Sequence, residues 1–142
     1  MLKICLRKIP KDLFISVAAV TDWKINYIKH KMKKEAGVPK LELVDNPDIL
    51  KSISLHKKRP KLVVGFAAET KHLTQNAMKK IKHKKCDFII ANNVANGKKV
   101  FGGNMNEVSI MNTKGIFLKL KKMDKKKLAK KIIKEVIVPS LN

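Results

Sequence analysis

A short apolar run that ends on small residues and leads into a helical pattern constrains this chain most. Lys61–Thr70 reads KLVVGFAAET, and Leu62–Val64 has the continuous apolar character of a buried strand. Thr70 is a suitable N-cap for the helical pattern over Leu73–Lys84. In open α/β sheets, ligands bind in the crevice outside the carboxyl ends of such strands. The segment therefore predicts either a ligand-binding strand–turn–helix or a structural one in which Gly65 allows close packing.

The composition is that of one globular domain over residues 1–142. The hydrophobic content of 44% is too high for a disordered segment, and the length suffices for one modest core. The chain has no apolar run of about 18 residues, so we expect no membrane contact, and its charged N-terminus is not a secretory signal. Cys5 and Cys86 are far apart, which favours reduced thiols in a cytoplasmic protein over a disulfide or a metal site.

The formal net charge of +22 has two interpretations. A basic surface suits a nucleic-acid partner. However, Arg7 and Arg59 are the only arginines, and arginine is the residue that pairs bidentately with guanine. One Trp and one Tyr make a base-stacking platform hard to build. We favour compositional drift, which the abundant Lys, Ile and Asn indicate, over a polyanion-binding role.

The first part of the chain predicts a helix, a strand and a lid. Residues 2–8 fit the last turns of a helix that ends at Pro10, and because the pattern has no beginning we expect an N-terminal truncation. Asp12–Val20 predicts a central strand. Asp22 follows it, where an acid can bind a ribose hydroxyl or a metal ion, although a turn cap is the simpler interpretation. Lys24–Pro39 is polar and aperiodic, which predicts a mobile lid or a solvated charge run.

Two helix signals surround the central segment. Leu41–Val44 predicts a short strand, and Asn46 then caps a helix that extends to about Lys58. In the helix that follows the central segment, Lys80 and Lys84 share one face at a spacing of four residues. Two lysines on one helix face beside a strand end can bind phosphates.

The second half of the chain adds a strand, a hairpin and a helix. Cys86–Ala91 is a third apolar strand, and Glu107–Met111 and Ile116–Leu120 flank a turn typical of a hairpin. Asp124 caps a final helix over Lys125–Val136. Strands that alternate with helices favour an α/β fold, with a mostly parallel sheet, helices on its faces and a C-terminal antiparallel hairpin.

Several segments carry a family resemblance. In chain order they are VAAVTDW (17–23), KMKK (31–34), NPDIL (46–50), VVGFAAET (63–70), the lysine pair at 80 and 84, DFIIANNV (87–94) and FGGNMNEVSI (101–110). In this order and at these spacings they resemble phosphopantothenate–cysteine ligase, often the C-terminal half of a bifunctional flavoprotein of coenzyme A biosynthesis. The resemblance covers essentially the whole chain. It implies a Rossmann-like fold with helices on both faces, truncated at its N-terminus relative to the family.

The resemblance also implies a reaction. A phosphopantothenate carboxylate attacks the α-phosphate of CTP to give an acyl-cytidylate and pyrophosphate, and the amine of cysteine then displaces CMP to form an amide. Mg²⁺ accompanies the triphosphate, whereas FMN is not expected because the decarboxylase half is absent. The implied partners are 4'-phosphopantothenate, cysteine and CTP. A homodimer or a missing N-terminal segment would complete the site.

Position by position, the resemblance implies a catalytic lysine and a nucleotide pocket. Lys31 matches the lid lysine, and Asp22 matches the acid after the first strand. The implied CTP contacts are Ser16, Val17, Ala18, Asp22, Lys31, Pro47, Asp48, Ile49, Leu50, Phe66, Lys80 and Lys84. No protein ligand for a metal is implied.

The chain also departs from the family pattern. Nothing in it matches the Gly-rich strand–turn–helix or the Asn-containing segment that begins the family domain. We therefore expect the nucleotide side of the site to be present and part of the acyl-substrate side to be missing. Two functions stay open: a ligase domain that another segment completes, and a basic nucleic-acid-binding protein or inactive remnant of the ligase. The first predicts saturable CTP binding, and the second predicts binding that weakens steeply with salt.

Overall fold

The computed structural model describes residues 1–26, 30, 37–38, 40–94 and 103–142. The chain divides into two compact units. The larger unit consists of Met1–Val17 together with Ile49–Asn142, and the smaller unit is Ala18–Asp48. That the whole chain acts as one domain stays a prediction. Most of the predicted lid, including Lys31, lies outside the described residues.

Helices separate three groups of strands along the chain. In chain order the described residues form α1 (Leu2–Lys8), β1 (Leu13–Ser16), β2 (Trp23–Ile25), β3 (Leu43–Asp45), α2 (Ile49–Ser54), β4 (Leu62–Glu69), α3 (Leu73–Lys84), β5 (Phe88–Asn93), β6 (Met105–Asn112), β7 (Gly115–Asp124), α4 (Lys125–Ile132), a π-helical turn (Ile133–Ile137) and α5 (Val138–Leu141). No helix among them is long and apolar enough to cross a membrane.

The larger unit is built on a five-stranded sheet in the order β1-β4-β5-β6-β7. β4 is parallel to both of its neighbours, whereas β6 is antiparallel to both of its own. Four of these five strands therefore run in the same direction. The predicted α/β fold, with a mostly parallel sheet and a C-terminal hairpin, is confirmed.

Helices cover both faces of this sheet. Leu62 and Val64 of β4 belong to the core that α4 and the π-helical turn close. Val63 and Ala67 belong to the core on the other face, which α1, α2 and α3 close. This separation follows from the alternation of side chains along a strand.

Asp124 begins the final helical segment as predicted. Its carboxylate accepts hydrogen bonds from the backbone N–H groups of Lys126, at 2.9 Å, and Lys127, at 3.3 Å. These bonds satisfy donors that have no partner inside the helix. The segment then continues through the π-helical turn into α5, beyond the predicted end at Val136.

The strand of the central segment is longer than its apolar run over Leu62–Val64, because β4 continues to Glu69. Residues 67–69 of β4 pair with residues 91–93 of β5, and this pairing outweighs the tendency of small residues to end a strand. Thr70 is therefore not the N-cap of α3. That position is His72, which has a left-handed backbone with φ of 50° and makes no side-chain capping bond.

The predicted central strand over Asp12–Val20 is shorter than expected, and it is not central in the described sheet. β1 comprises only four residues, and within the described part of the chain it pairs with β4 alone. It is therefore an edge strand of the sheet described here.

The smaller unit contains a two-stranded antiparallel ribbon of β2 and β3. Lys24 lies opposite Val44, and Ile25 lies opposite Leu43. The start of the predicted lid is therefore a strand rather than a loop. The predicted strand over Leu41–Val44 exists as β3, shifted toward Asp45.

Asn46 does not cap α2, contrary to the prediction. Its side-chain amide donates to the carbonyl oxygen of Thr21 at 3.0 Å, and its backbone N–H donates to the carbonyl oxygen of Asp22 at 2.7 Å. Asn46 therefore extends the pairing of the ribbon. α2 begins three residues later, at Ile49, and ends at Ser54, short of the predicted Lys58.

Candidate functional site

The carboxyl ends of three parallel strands form one edge of the larger unit's sheet. β1, β4 and β5 run in the same direction, and Glu69 and Asn93 end side by side, whereas Ser16 ends β1 in register with Gly65, four residues before Glu69. β6 runs in the opposite direction, so its first residues, from Met105, reach the same edge. We call it the carboxyl edge. It is the side of a parallel sheet where ligands bind.

Ser16, Leu50 and Phe66 are brought to neighbouring positions. Ser16 is in register with Gly65 on the adjacent strand, and Phe66 follows directly. A Cβ atom on Gly65 would lie 2.5 Å from Cδ2 of Leu50 and 2.8 Å from Cδ1 of Ile89. The missing side chain therefore lets Leu50 pack onto the strand, which is the close packing considered as the structural alternative for Gly65.

The predicted contacts of this unit differ in which of their atoms a ligand can reach. Ile49 is buried in the core, with 9% of its surface exposed, so only its backbone is available to a ligand. Val17 is exposed beyond the end of β1. Phe66 is 36% exposed and, by alternation, points to the face opposite Leu50. A ligand that contacts both Leu50 and Phe66 must therefore extend around the carboxyl edge.

Lys80 is held by an acid at the end of β4. Its ammonium lies 2.7 Å from Oε1 of Glu69. The other carboxylate oxygen, Oε2, accepts a hydrogen bond from the side-chain amide of Asn76 at 2.9 Å. Glu69 is mostly buried and Lys80 is half-exposed, so a buried carboxylate holds an ammonium group that solvent can still reach. Lys84 lies one turn further along the same face of α3, about 6 Å further from the carboxyl edge.

The remaining predicted contacts belong to the smaller unit or lie outside the described residues. Ala18, Asp22, Pro47 and Asp48 are all in the smaller unit. The main chain is held at Asp22, because the carbonyl oxygen of Asp22 accepts a hydrogen bond from the backbone N–H of Asn46. The side chain of Asp22 is exposed. The role of Lys31 stays a prediction.

A cavity of about 360 Å³ opens at the carboxyl edge between β5, β6 and the start of α3. Amide, hydroxyl and charged side chains line it together with apolar ones. Its lining residues are Leu73, Ala91, Asn93, Gly103, Asn104, Met105, Asn106, Glu107, Val108, Ser109 and Lys122. The volume and the mixed lining suit a small polar ligand.

None of the cavity residues was among the predicted contacts. The signal is present in the segment FGGNMNEVSI (101–110), of which residues 103–109 line the cavity. The sequence alone does not reveal that this segment lies beside Leu73 and Asn93, because strand pairing brings them together.

The described residues do not form a metal cage. Among them, no three His, Cys, Asp or Glu side chains lie close enough together to hold a metal ion. Glu69 is already engaged by Lys80 and Asn76. Mg²⁺ often binds through substrate phosphates and only one or two carboxylates, so a Mg²⁺ ion here would depend on the triphosphate for most of its ligands.

Cys86 is a structural thiol rather than a nucleophile. Burial raises the pKa of the Cys86 thiol to about 11, and the neighbouring carboxylate of Asp87 acts in the same direction. The thiol therefore stays protonated near neutral pH, and a protonated thiol is unreactive.

Comparison with known proteins gives the family. Residues 1–138 match the family described as the DNA/pantothenate metabolism flavoprotein C-terminal domain. The chain belongs to this family. The coenzyme A biosynthesis bifunctional protein CoaBC of Borreliella burgdorferi is 40% identical over 126 residues, which cover 87% of this chain and 31% of that protein. CoaBC of Bacillus subtilis is 38% identical over 126 residues, covering 88% of this chain and 31% of that protein.

Solved structures agree with the membership in the flavoprotein C-terminal domain family. The crystal structure of the C-terminal domain of a CoaBC protein matches with a TM-score of 0.68 and 27% identity, covering 96% of this chain and 59% of that one. Together with the family match, this confirms the resemblance to phosphopantothenate–cysteine ligase that the motifs indicated. The chain spans about a third of the length of the curated relatives described above.

Proposed function

We propose that this chain is the nucleotide-binding part of a CTP-dependent phosphopantothenate–cysteine ligase of coenzyme A biosynthesis. The main support is the family match over residues 1–138, combined with the lysine that Glu69 fixes beside the carboxyl edge. Among the further contacts that the resemblance implies, Ser16 and Leu50 lie beside Gly65, and Phe66 follows it in β4 with its side chain on the opposite face of the sheet.

The proposed reaction has two steps. A carboxylate oxygen of 4'-phosphopantothenate bonds to the α-phosphorus of CTP and pyrophosphate leaves. The amine of cysteine then bonds to the acyl carbon, and CMP leaves as a proton is lost from the amine. Negative charge develops on the phosphoryl oxygens in the first step, so a fixed cation stabilises the transition state. Lys80 supplies such a cation, with Lys84 one turn away and Lys31 as the proposed lid lysine.

The cavity gives room for part of one small substrate. Its amide and hydroxyl groups, among them Asn106 and Ser109, can hydrogen-bond an uncharged polar chain such as that of pantothenate. Asn106→Ala should raise KM for the substrate that occupies the cavity and leave KM for the other two substrates unchanged.

Three further parts of the proposal concern the surroundings of the site. Mg²⁺ binds with the triphosphate. A homodimer or an additional N-terminal segment supplies the remainder of the acyl-substrate side. The reaction takes place in the cytoplasm.

Titration calorimetry tests nucleotide binding directly. CTP should bind saturably and more tightly than ATP, and Lys80→Ala should weaken CTP binding by about 1–3 kcal/mol, as expected for the loss of a charge-assisted hydrogen bond. Lys131→Ala is the matched control, because Lys131 is also a helical lysine paired with an acid, at 3.7 Å from Glu135, on α4. Equal CTP affinity for wild type and the Lys80 variant would refute the assignment.

Turnover should depend on a further segment. Holding the carboxylate in line with the α-phosphate contributes roughly 7–11 kcal/mol to such a step. We expect little CTP-dependent pyrophosphate release from residues 1–142 with phosphopantothenate and cysteine. Fusion to the N-terminal part of a CoaBC ligase domain should raise it strongly. Equal, robust turnover from both would show that this chain needs no completion.

The nucleic-acid alternative has its own signature. Exposed lysines of α4, among them Lys126, Lys127 and Lys130, give the surface a strongly basic region. If nucleic acid binds through these lysines, the logarithm of its association constant should fall linearly with the logarithm of the salt concentration, and CTP should not compete with it.

A further inference from the structure

The geometry points to Glu69 as a positioning residue that holds Lys80 where it meets the phosphates of the nucleotide. This inference rests on the nucleotide site proposed above. Glu69 is the last residue of β4, and its side chain lies on the face of the sheet that α3 covers, so it reaches Lys80 from the strand rather than from the helix. It is not among the contacts that the sequence implies.

Every part of Glu69 is held in place. Its backbone carbonyl accepts a hydrogen bond from the N–H of Val94 at 2.9 Å, and the residue is in register with Asn93 of β5. Its Oε2 accepts from Asn76, whose side-chain amide also donates to the carbonyl oxygen of Lys71 at 3.0 Å. The carboxylate is therefore oriented before any ligand arrives.

The remaining oxygen of Glu69 depends on Lys80. Oε1 is buried and accepts no hydrogen bond within the described part of the chain, and the Lys80 ammonium lies 2.7 Å from it as an ion pair. A buried carboxylate oxygen without a partner is costly. Lys80 should therefore keep its contact with Glu69 when a nucleotide binds, rather than exchange it for a phosphate.

Lys80 can serve both partners at once. An ammonium has three N–H donors, and its ion pair with one Glu69 oxygen leaves donors for a phosphate. The side chain of Lys80 is 43% exposed, whereas that of Glu69 is 12% exposed, so the ammonium is accessible from solvent while its anchor is not. A free lysine side chain loses rotamer freedom when it binds a phosphate, and an anchored one has already lost it.

Two effects of Glu69 on a bound triphosphate have opposite signs. Its negative charge repels phosphates, so simple electrostatics predicts tighter CTP binding when the charge is removed. If Glu69 instead acts by orienting Lys80, removing its charge should weaken CTP binding. A third possibility, that the pair only ties α3 to β4, predicts a loss of stability and no specific change in affinity. The sign and the ligand dependence of the effect therefore separate the three.

The experiment measures dissociation constants of CTP, CMP and inorganic tripolyphosphate by calorimetry, with melting temperatures alongside. Glu69→Gln should weaken CTP and tripolyphosphate binding by about five- to tenfold, with a smaller change for CMP, which lacks the terminal phosphates. Asn76→Ala removes the hydrogen bond to Oε2 but keeps the negative charge of Glu69. It should also weaken CTP and tripolyphosphate binding, by a smaller factor. Glu135→Gln is the control, because it removes an equal charge from another helical lysine pair.

A double variant tests whether Glu69 acts through Lys80. In the Lys80→Ala background, Glu69→Gln should cause no further loss. The inference is overturned if the Glu69→Gln variant binds CTP as tightly as the Glu135→Gln variant does. It is also overturned if Glu69→Gln weakens CTP binding by the same factor in the Lys80→Ala background. If wild type binds tripolyphosphate but does not prefer CTP, and Glu69→Gln still weakens it, the nucleotide assignment fails and the positioning role stands. If wild type binds none of the three ligands, both are refuted.

Discussion

Replacing Gly65 by alanine tests the contact that joins β4 to α2 beneath three of the proposed nucleotide contacts. The added methyl would meet Cδ2 of Leu50 at 2.5 Å and Cδ1 of Ile89 at 2.8 Å. Both distances are too short for carbon atoms, so the neighbours must retreat by about 0.9 and 0.6 Å to reach ordinary contact. Ile89 is fully buried, with 1% of its surface exposed, whereas Leu50 is half-buried and can turn outward.

The expected cost follows from two opposing effects. Inserting a methyl into a packed core costs about 1–3 kcal/mol. Replacing glycine where φ is ordinary lowers the entropy of the unfolded chain and recovers about 0.4–1 kcal/mol. We therefore expect Gly65→Ala to lower the free energy of unfolding by about 0.5–2 kcal/mol. Because Leu50 moves, CTP binding should weaken as well.

Urea unfolding followed by circular dichroism measures this change. Leu50→Ala removes the closer obstacle, so the double variant should be more stable than the two single losses predict, by at least about 0.5 kcal/mol. Gly115→Ala is the contrasting control. Gly115 has φ of +129° and open space around its Cβ position, so alanine there strains the backbone without touching Leu50. Its effect should add to that of Leu50→Ala within about 0.5 kcal/mol.

Full stability of Gly65→Ala would refute the close packing, and additivity of Gly65→Ala with Leu50→Ala would show that the strain does not pass through Leu50.

Three further predictions concern the rest of the larger unit. Asp124→Ala should lower the free energy of unfolding by about 1 kcal/mol through loss of the N-cap, and Asp124→Asn, which can still accept the bonds, should cost less. Asp87→Asn should cost about 1–2 kcal/mol, because the Asp87 carboxylate accepts bonds from Arg59 and from the backbone of Val63. In a Cys5→Ser background, native protein at pH 8 should resist iodoacetamide, because a pKa of about 11 instead of 9.0 lowers the thiolate fraction about 100-fold. Rapid alkylation of the native protein would contradict the burial.

The parts of the fold that the sequence predicts well are those where local and tertiary preferences agree. The N-cap at Asp124 and the hairpin turn at Gly115 need only nearby residues, and both are present. β4 extends beyond its apolar run because pairing with β5 holds the small residues after Gly65 in the sheet, and this pairing leaves no local signal in the sequence. Asn46 suits a helix cap by type, but its donors pair with the ribbon instead.

The candidate site was predictable only where a side chain acts from its own element. Lys80 lies on the expected face of α3, but its anchor Glu69 comes from β4 and left no local signal. Ile49 matches a contact position in sequence, yet the phase of α2 turns its side chain into the core. The cavity combines residues of β5, β6 and α3 that only strand pairing makes neighbours.

The segment Ala18–Asp48 leaves the larger unit and returns to it at two adjacent points. The strand before it ends at Ser16, in register with Gly65, and the helix after it places Leu50 against that same glycine. The segment is thus an insertion whose two ends are close together in the larger unit. Replacing it by a loop of another length changes the entropy of loop closure only slightly. A short linker from Val17 to Ile49 should leave every pairing of the five-stranded sheet intact. A replacement segment between Val17 and Ile49 should therefore change the residues around Asp22 without changing the larger unit, which carries Lys80.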